Sequence, residues 1–320
     1  MTDQLPKDRP LRIVFFGSDP FSVPALKALA AGPDDVVLAV TPPPARSGRG
    51  LKESPSPVAL AAGELKLTVL EAKKLNNSET IESIKEARPD LLVVAAFGGF
   101  LPETLLKLCP VPPLNIHPSL LPRHRGPAPV SWTLIHGDRK VGVSIIFLEK
   151  EMDAGPVLHQ RFYDLQTPGS AGDWEARLAV DGAEDLLLVI ERLKQGQVQP
   201  LPQAAGLATV NPRLRKSDGR LNFSLKAEKL AGLINGVDPW PGAQATLGGK
   251  TVKLFLAEAV EGDVQAEPGT VLGLDDKSRL LLASGDGLLA VAELQPEGKK
   301  RMNAADFLRG YKPEKLGSAQ

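Results

Sequence analysis

Leu91-Leu92-Val93-Val94-Ala95-Ala96-Phe97 is the most apolar strand-like run in the chain. A continuous hydrophobic run of this kind predicts a strand buried on both faces, as parallel sheets require. Toward the N-terminus, the pattern predicts a helix over Ser78–Ala87, a short strand at Leu67–Leu70 and another at Val36–Thr41. Before these come a helix from about Phe21 to Ala31, capped by Ser18 or Asp19, and a strand at Leu11–Gly17. Strands alternating with helices in this way predict an α/β fold: a doubly wound, Rossmann-like, mostly parallel sheet with right-handed crossovers. Gly17-Ser18-Asp19-Pro20 lacks the G-x-G-x-x-G spacing of a dinucleotide site, and no Walker sequence occurs. Neither a nicotinamide nucleotide nor ATP is therefore implied.

Toward the C-terminus, Leu114–His117 begins like a strand and breaks at Pro118, and Pro129–Gly137 looks helical. Val141–Leu148 and Val157–Leu165 are extended candidates, and a helix from roughly Gly172 to Gly196 closes a first domain, 1–196. Residues 197–212, rich in Gln, Pro, Ala and Gly, are expected to be a linker. A short helix, Leu225–Asn235, and the turn Val237-Asp238-Pro239-Trp240-Pro241-Gly242 come next. Strand candidates then follow at Ala243–Leu247, Thr251–Ala259, Gly269–Leu274, Arg279–Ser284 and Gly287–Leu294. Short strands at this spacing with Gly turns predict a smaller C-terminal OB-like β-barrel domain, 213–320.

The 320 residues are 42% hydrophobic and 24% charged, with a formal net charge of zero. Such a balance describes a soluble globular protein, and a nucleic-acid role must rest on local patches. The lone Cys109 excludes an intramolecular disulfide and agrees with a reducing compartment. No apolar run is long enough to span a bilayer, so no membrane partner is expected. Met1–Pro10 has neither a secretory core nor an Arg-rich amphipathic helix, which points to the cytoplasm. His117, His124, His136 and His159 show no H-E-x-x-H-type spacing, so no metal site is expected.

Chemistry concentrates in Leu114-Asn115-Ile116-His117-Pro118-Ser119-Leu120-Leu121-Pro122-Arg123-His124-Arg125-Gly126. Residues two apart on a strand share a face, so Asn115 and His117 sit side by side at a strand's carboxyl end, where α/β sites collect. An Asn and a His that merely end a structural strand fit the spacing equally well. Asp153 lies in the loop after Val141–Leu148 and is expected at the same sheet edge. If the strand order brings the three together, imidazole can move a proton near neutrality. The amide can donate to an oxygen gaining charge, and the carboxylate can orient the imidazole. Together they suit attack of an amine on a carbonyl without a covalent enzyme intermediate. Ser119 lacks a G-x-S-x-G elbow and is not read as a nucleophile. Between Thr41 and Pro57 a loop rich in Pro, Gly and positive charge carries Arg46, Arg49 and Lys52, which could clamp phosphates or simply be solvated. Lys299-Lys300-Arg301 is the densest basic run, again a phosphate contact or a solvated turn.

Asn115 to Gly126, followed by Met152-Asp153-Ala154-Gly155, resembles the formyltransferases that use 10-formyltetrahydrofolate. Arg12–Gly17, Gly48-Arg49-Gly50, Ala96-Phe97-Gly98 with Leu101-Pro102, Asp238–Gly242 and the tail Leu294–Met302 extend the likeness along nearly the whole chain. They are similar to the members that act on methionyl-tRNA. The resemblance implies catalytic roles for Asn115, His117 and Asp153. It implies a folate site lined by Ser119, Leu120, Leu121 and Pro122, with Phe97, Gly98, Gly99 and Leu101 walling the pterin pocket. It further implies that the loop of Arg46, Arg49 and Lys52 approaches the tRNA acceptor end, and that the C-terminal barrel, with Lys299, Lys300 and Arg301, holds the tRNA. The expected partners are initiator methionyl-tRNA and 10-formyltetrahydrofolate as co-substrate, with the enzyme a monomer. His117-Pro118-Ser119 replaces the commoner His-Gly-Ser, and Pro43-Pro44-Ala45-Arg46 shifts the first loop arginine by one place. Alternatives are a formyltransferase acting on a nucleotide-sugar amine, a 10-formyltetrahydrofolate hydrolase module, or a non-catalytic tRNA-binding module.

Overall fold

The computed structural model describes residues 5–47, 52–165, 169–262 and 265–319. The described residues fall into two compact units, those within 1–125, 142–162 and 175–210 in the first and those within 126–141, 163–174 and 211–320 in the second. In chain order come β1 (Arg12–Gly17), α1 (Val23–Ala31), β2 (Asp35–Thr41), β3 (Ala45–Ser47), β4 (Lys52–Ser54) and α2 (Pro57–Glu64). Then follow β5 (Val69–Glu71), α3 (Ser78–Glu86), β6 (Leu91–Ala95), α4 (Glu103–Leu106) and β7 (Leu114–His117). α5 (Pro129–His136), β8 (Lys140–Phe147), β9 (Val157–Asp164) and α6 (Ala171–Lys194) complete this stretch.

The principal sheet has the order β5-β2-β1-β6-β7-β8-β9. β1 pairs parallel with both β2 and β6, and β6 pairs parallel with β7. The winding therefore reverses between β1 and β6, the doubly wound arrangement whose crevice opens at the carboxyl ends of those strands. There the Ser18 hydroxyl donates to the Ala96 carbonyl at 2.5 Å, tying the two loops together. Asp19 supplies the expected cap, accepting from the Phe21 amide at 3.0 Å.

Beyond β7 the sheet changes direction. β8 runs antiparallel to β7, with Leu114 opposite Phe147 and His117 opposite Ser144. The loop after β8 therefore leaves beside the start of β7, so Asp153 reaches the expected edge, where His117 lies, only by doubling back. A strand buried on both faces reads the same in either direction, so its apolar run carries no information on polarity. The long loop after β2 gains its length from a hairpin: β3 and β4 pair with Arg46 opposite Glu53 and Ser47 opposite Lys52. Arg49 lies outside the described residues.

Pairing registers sort the sheet's two faces. Val40, Phe16, Val94, Asn115 and Ile146 are successive partners across β2, β1, β6, β7 and β8. Partners in register project to one side, so these five form a single transverse row. Ile116 points the other way, where α6 approaches so closely that a Cβ on Gly182 would lie 2.7 Å from Ile116 Cγ2.

The second unit holds α7 (Ala227–Gly236), β10 (Ala243–Leu247), β11 (Lys250–Val260), β12 (Val271–Leu274) and β13 (Leu280–Ala283). β14 (Leu288–Pro296), β15 (Met302–Asn303), α8 (Ala304–Tyr311) and β16 (Gly317–Ser318) follow. The strands form an antiparallel sheet in the order β12-β13-β14-β11-β10-β16, with β15 on β14. Its ends meet: Thr270 bridges Lys315, and the Leu316 amide donates to the Gly269 carbonyl at 2.9 Å. The sheet thus curls into the barrel expected from the strand spacing. Phe223, Leu230, Ile234, Val252, Leu254, Val291 and Phe307 fill it. The buried Asn235 fastens α7 to β11 by exchanging two hydrogen bonds with the Ala257 backbone, at 2.8 and 2.9 Å. Among the described residues no helix is long and apolar enough to cross a membrane.

Candidate active site

Asn115 is the polar member of the transverse row, set between Val94 and Ile146. It is 7% exposed, and no protein group among the described residues bonds its side chain. The amide keeps a sliver of solvent access but adds nothing to the apolar packing of the row, so an apolar residue would serve the fold at least as well here. His117, on the same face, is also buried. Its Nε2 is 2.9 Å from the His124 carbonyl oxygen. A carbonyl only accepts, so Nε2 carries the hydrogen and donates. Nδ1 is left facing Asp153 Oδ2 at 3.7 Å, within ion-pair reach and beyond a direct hydrogen bond.

Asp153 arrives by a reversal of the chain. After β8 the Leu148 amide donates to the Pro113 carbonyl at 2.7 Å, near the start of β7. The segment then doubles back along the strand, about 10 Å for the three steps from Leu114 to His117. Asp153 takes a left-handed conformation, φ 52°. Gly155 packs against the end of β8 so tightly that a Cβ there would sit 1.9 Å from the Phe147 carbonyl oxygen.

The loop after His117 is held from beneath by Ser144. Its hydroxyl donates to the Ser119 carbonyl at 2.6 Å and accepts from the Leu121 amide at 3.2 Å and Gln160 Nε2 at 2.8 Å. Ser119 turns its own hydroxyl inward to the Arg123 carbonyl at 2.8 Å, and Leu121 packs on Ile146 and Val157. Of the expected folate-lining stretch Ser119–Pro122, these two side chains are therefore committed to the loop's own structure. Phe97 meets Phe16 edge-on at 5.8 Å, and both Phe97 and Leu101 pack on the core beneath β1 and β6. Gly98 and Gly99 lead to Phe100, which is 73% exposed. Because β6 and β7 are parallel neighbours, this segment and Ser119–Pro122 leave the same sheet edge side by side.

The basic candidates separate. The backbones of Arg46 and Lys52 lie in the β3–β4 hairpin. Lys299 and Lys300 are exposed in the turn after β14. Arg301 is engaged otherwise: its guanidinium bonds Glu293 and Asp238 Oδ2 and stacks 4.0 Å over the Phe255 ring. It anchors the Asp238–Gly242 turn, a structural task that the basic run did not suggest. Burial pushes the Cys109 thiol up to about 12, so it carries no thiolate at neutral pH.

Burial, and secondarily the charge of Asp19, pushes the Glu175 carboxyl up to about 7. Between its ordinary range and pH 7 the folded state then holds a proton that the unfolded chain has lost, so stability falls as pH rises through that window. Glu175→Gln removes this dependence. The variant should gain about 2 kcal/mol more over the parent at pH 8 than at pH 5, read by denaturant unfolding at both pH values.

Sequence reasoning missed Ser144, Thr209 and Gln203. Thr209 accepts through its hydroxyl from the His124 amide at 2.8 Å and through its carbonyl from the Arg125 amide at 2.9 Å. Both Thr209 and Gln203 lie in the stretch expected to be a linker, where no periodicity marks a residue for attention.

Two family models cover the chain: Formyl transferase over residues 11–190, and Formyl transferase, C-terminal domain, over residues 213–312. The chain belongs to the formyl transferase family. This formyltransferase is 41% identical over 306 residues to the methionyl-tRNA formyltransferase of Desulfotalea psychrophila, covering 96% of this chain and 94% of that one. Solved structures share its fold. One is WlaRD, a sugar 3N-formyl transferase, with TM-score 0.65 and 13% identity over 91% of this chain and 99% of that one. Another is HypX from Aquifex aeolicus in complex with tetrahydrofolic acid, TM-score 0.59 and 20% identity. The formyltransferase chain, 94% of it covered, spans 47% of HypX, about half its length.

Proposed function

We propose that this formyltransferase moves the formyl group of 10-formyltetrahydrofolate onto the α-amino group of methionine carried by initiator tRNA. The observation that carries the reading is the unbonded Asn115 amide, held in an otherwise apolar row beside His117 and Asp153. Near-full-length identity to a methionyl-tRNA formyltransferase supports the acceptor. Folate supplies the formyl carbon as a co-substrate. Asn115 donates to the formyl oxygen, which gains negative charge as the amine adds. His117, with Nε2 fixed on the His124 carbonyl, offers Nδ1 as the nitrogen that exchanges protons. Asp153 orients it across the 3.7 Å gap, directly or through one water. The pair takes the proton released by the amine and returns one to the departing nitrogen, so charge and protons balance without a covalent enzyme intermediate.

Ser119–Pro122, with the Ser119 and Leu121 side chains holding the loop in shape, and Phe97–Leu101, leaving neighbouring strand ends, are assigned to the folate. Arg46, Arg49, Lys52, Lys299 and Lys300 are assigned to tRNA phosphates, with Arg301 placing the turn it anchors. The protein is assigned to the cytoplasm, as a monomer. A single assay separates the readings: the same formyl donor offered methionyl-tRNA, a nucleotide-sugar amine or water alone. Formyl-methionyl-tRNA should form far faster than formyl sugar or free formate. Preferential use of the sugar amine or of water would replace this reading with one of those activities.

A further inference from the structure

We propose that Gln203 is a positioning residue for the transfer step, fastening the loop of Asp153 to the loop that holds His117; the inference rests on the catalytic reading above. Gln203 Nε2 donates to the carbonyl oxygens of Asp153 and Gly155, each at 2.7 Å. Its Oε1 accepts from Arg125 Nε at 3.0 Å and Nη2 at 2.8 Å. Carbonyls only accept and a guanidinium only donates, so one orientation of the amide satisfies all four contacts. Glutamate could keep Arg125 but has no donors for the two carbonyls.

The contacts form one path between the proposed catalytic groups. Asp153 and Gly155 hang on the Gln203 amide, which grips the Arg125 side chain. The neighbouring His124 carbonyl holds His117 Nε2. Arg125 is buried, and its remaining acidic partner, Glu151 at 3.2 Å, has a side chain that is 77% exposed. The neutral amide is thus the principal anchor of a buried cation. Asp153, at φ 52°, and Gly155, pressed on Phe147, leave the loop little freedom except where their carbonyls point, and Gln203 sets that. Losing it should let the Asp153 carboxylate drift from Nδ1 without emptying the folate or tRNA sites.

The test is a double-mutant cycle in the full-length chain. Gln203→Ala and Gln203→Glu should each lower kcat on the order of tenfold to a hundredfold, the range typical of groups that orient a catalytic side chain, with KM for both substrates little changed. In an Asp153→Asn background, Gln203→Ala should cost little more, because the group it positions is already gone. Additive losses, a parental kcat, or a loss confined to KM would overturn the proposal. NMR chemical shifts of the His117 ring provide a readout independent of turnover: Gln203→Ala should move them in the direction that Asp153→Asn does. A ring that responds to Asp153→Asn and ignores Gln203→Ala refutes the coupling, even in an active enzyme. A ring that responds to both, in a parent unable to transfer formyl groups, refutes the catalytic reading and leaves the coupling standing. Thermal melting of each variant identifies losses due to unfolding.

Discussion

Asn115→Ala should lower the rate of formyl transfer on the order of a hundredfold, since removing one donor to a developing oxyanion typically costs about 3 kcal/mol. The same change should leave the fold as stable as before, or more so. Asn115 stands in a row with Val40, Phe16, Val94 and Ile146, and its amide finds no protein partner among the described residues. Asn115→Val, which restores the apolar row with a residue suited to strands, should raise stability by about 1 kcal/mol while losing activity as alanine does. Opposite signs in the two measurements are the signature of a side chain kept for chemistry at the expense of packing. His117→Ala should lose comparable activity through the proton step. Near-parental turnover in Asn115→Ala and His117→Ala would remove both from the mechanism. A large loss of stability in Asn115→Val would show that the amide serves the fold.

Gly155→Ala should impair both fold and activity, through one methyl group that touches no substrate. The added Cβ would lie 1.9 Å from the Phe147 carbonyl oxygen and 2.9 Å from its carbonyl carbon, both backbone atoms at the end of β8. Strand backbone inside a sheet cannot retreat, so the loop must move. Overpacking of this kind costs roughly 1–3 kcal/mol. Asp153 moves with the loop, because the carbonyls of residues 153 and 155 share one anchor. A misplacement of about 1 Å at a catalytic group costs on the order of a hundredfold, so kcat should fall by that amount in the fraction that remains folded. Parental kcat in a folded Gly155→Ala protein would mean that Asp153 need not sit where this loop holds it.

Most of the principal strands, the long helices and the site's first two residues were legible from residue order; the β3–β4 hairpin, α2, α4, α8 and the short strands β15 and β16 were not. Leu91–Phe97 is apolar because β6 is covered on both faces, and its neighbours in sequence announce it without reference to anything distant. The strands of the barrel appeared at their observed places for the same reason, with β10 at Ala243–Leu247 as expected. Asn115 and His117 needed only the strand period of two to share a face. Ser144 and Gln203 left no such mark: each is one polar residue whose partners lie elsewhere in the chain.

Residue order by itself therefore determined the doubly wound start, the barrel, the family resemblance and the pairing of an amide with an imidazole. Tertiary structure alone decided that β8 runs against β7, that Asp153 doubles back to within 3.7 Å of His117, and that Gln203 bonds the Asp153 carbonyl. Hydrophobic periodicity is a property of consecutive residues and survives in one dimension. Strand polarity and a hydrogen bond between residues 50 or 78 positions apart, such as those of Gln203, exist only once the chain has closed on itself.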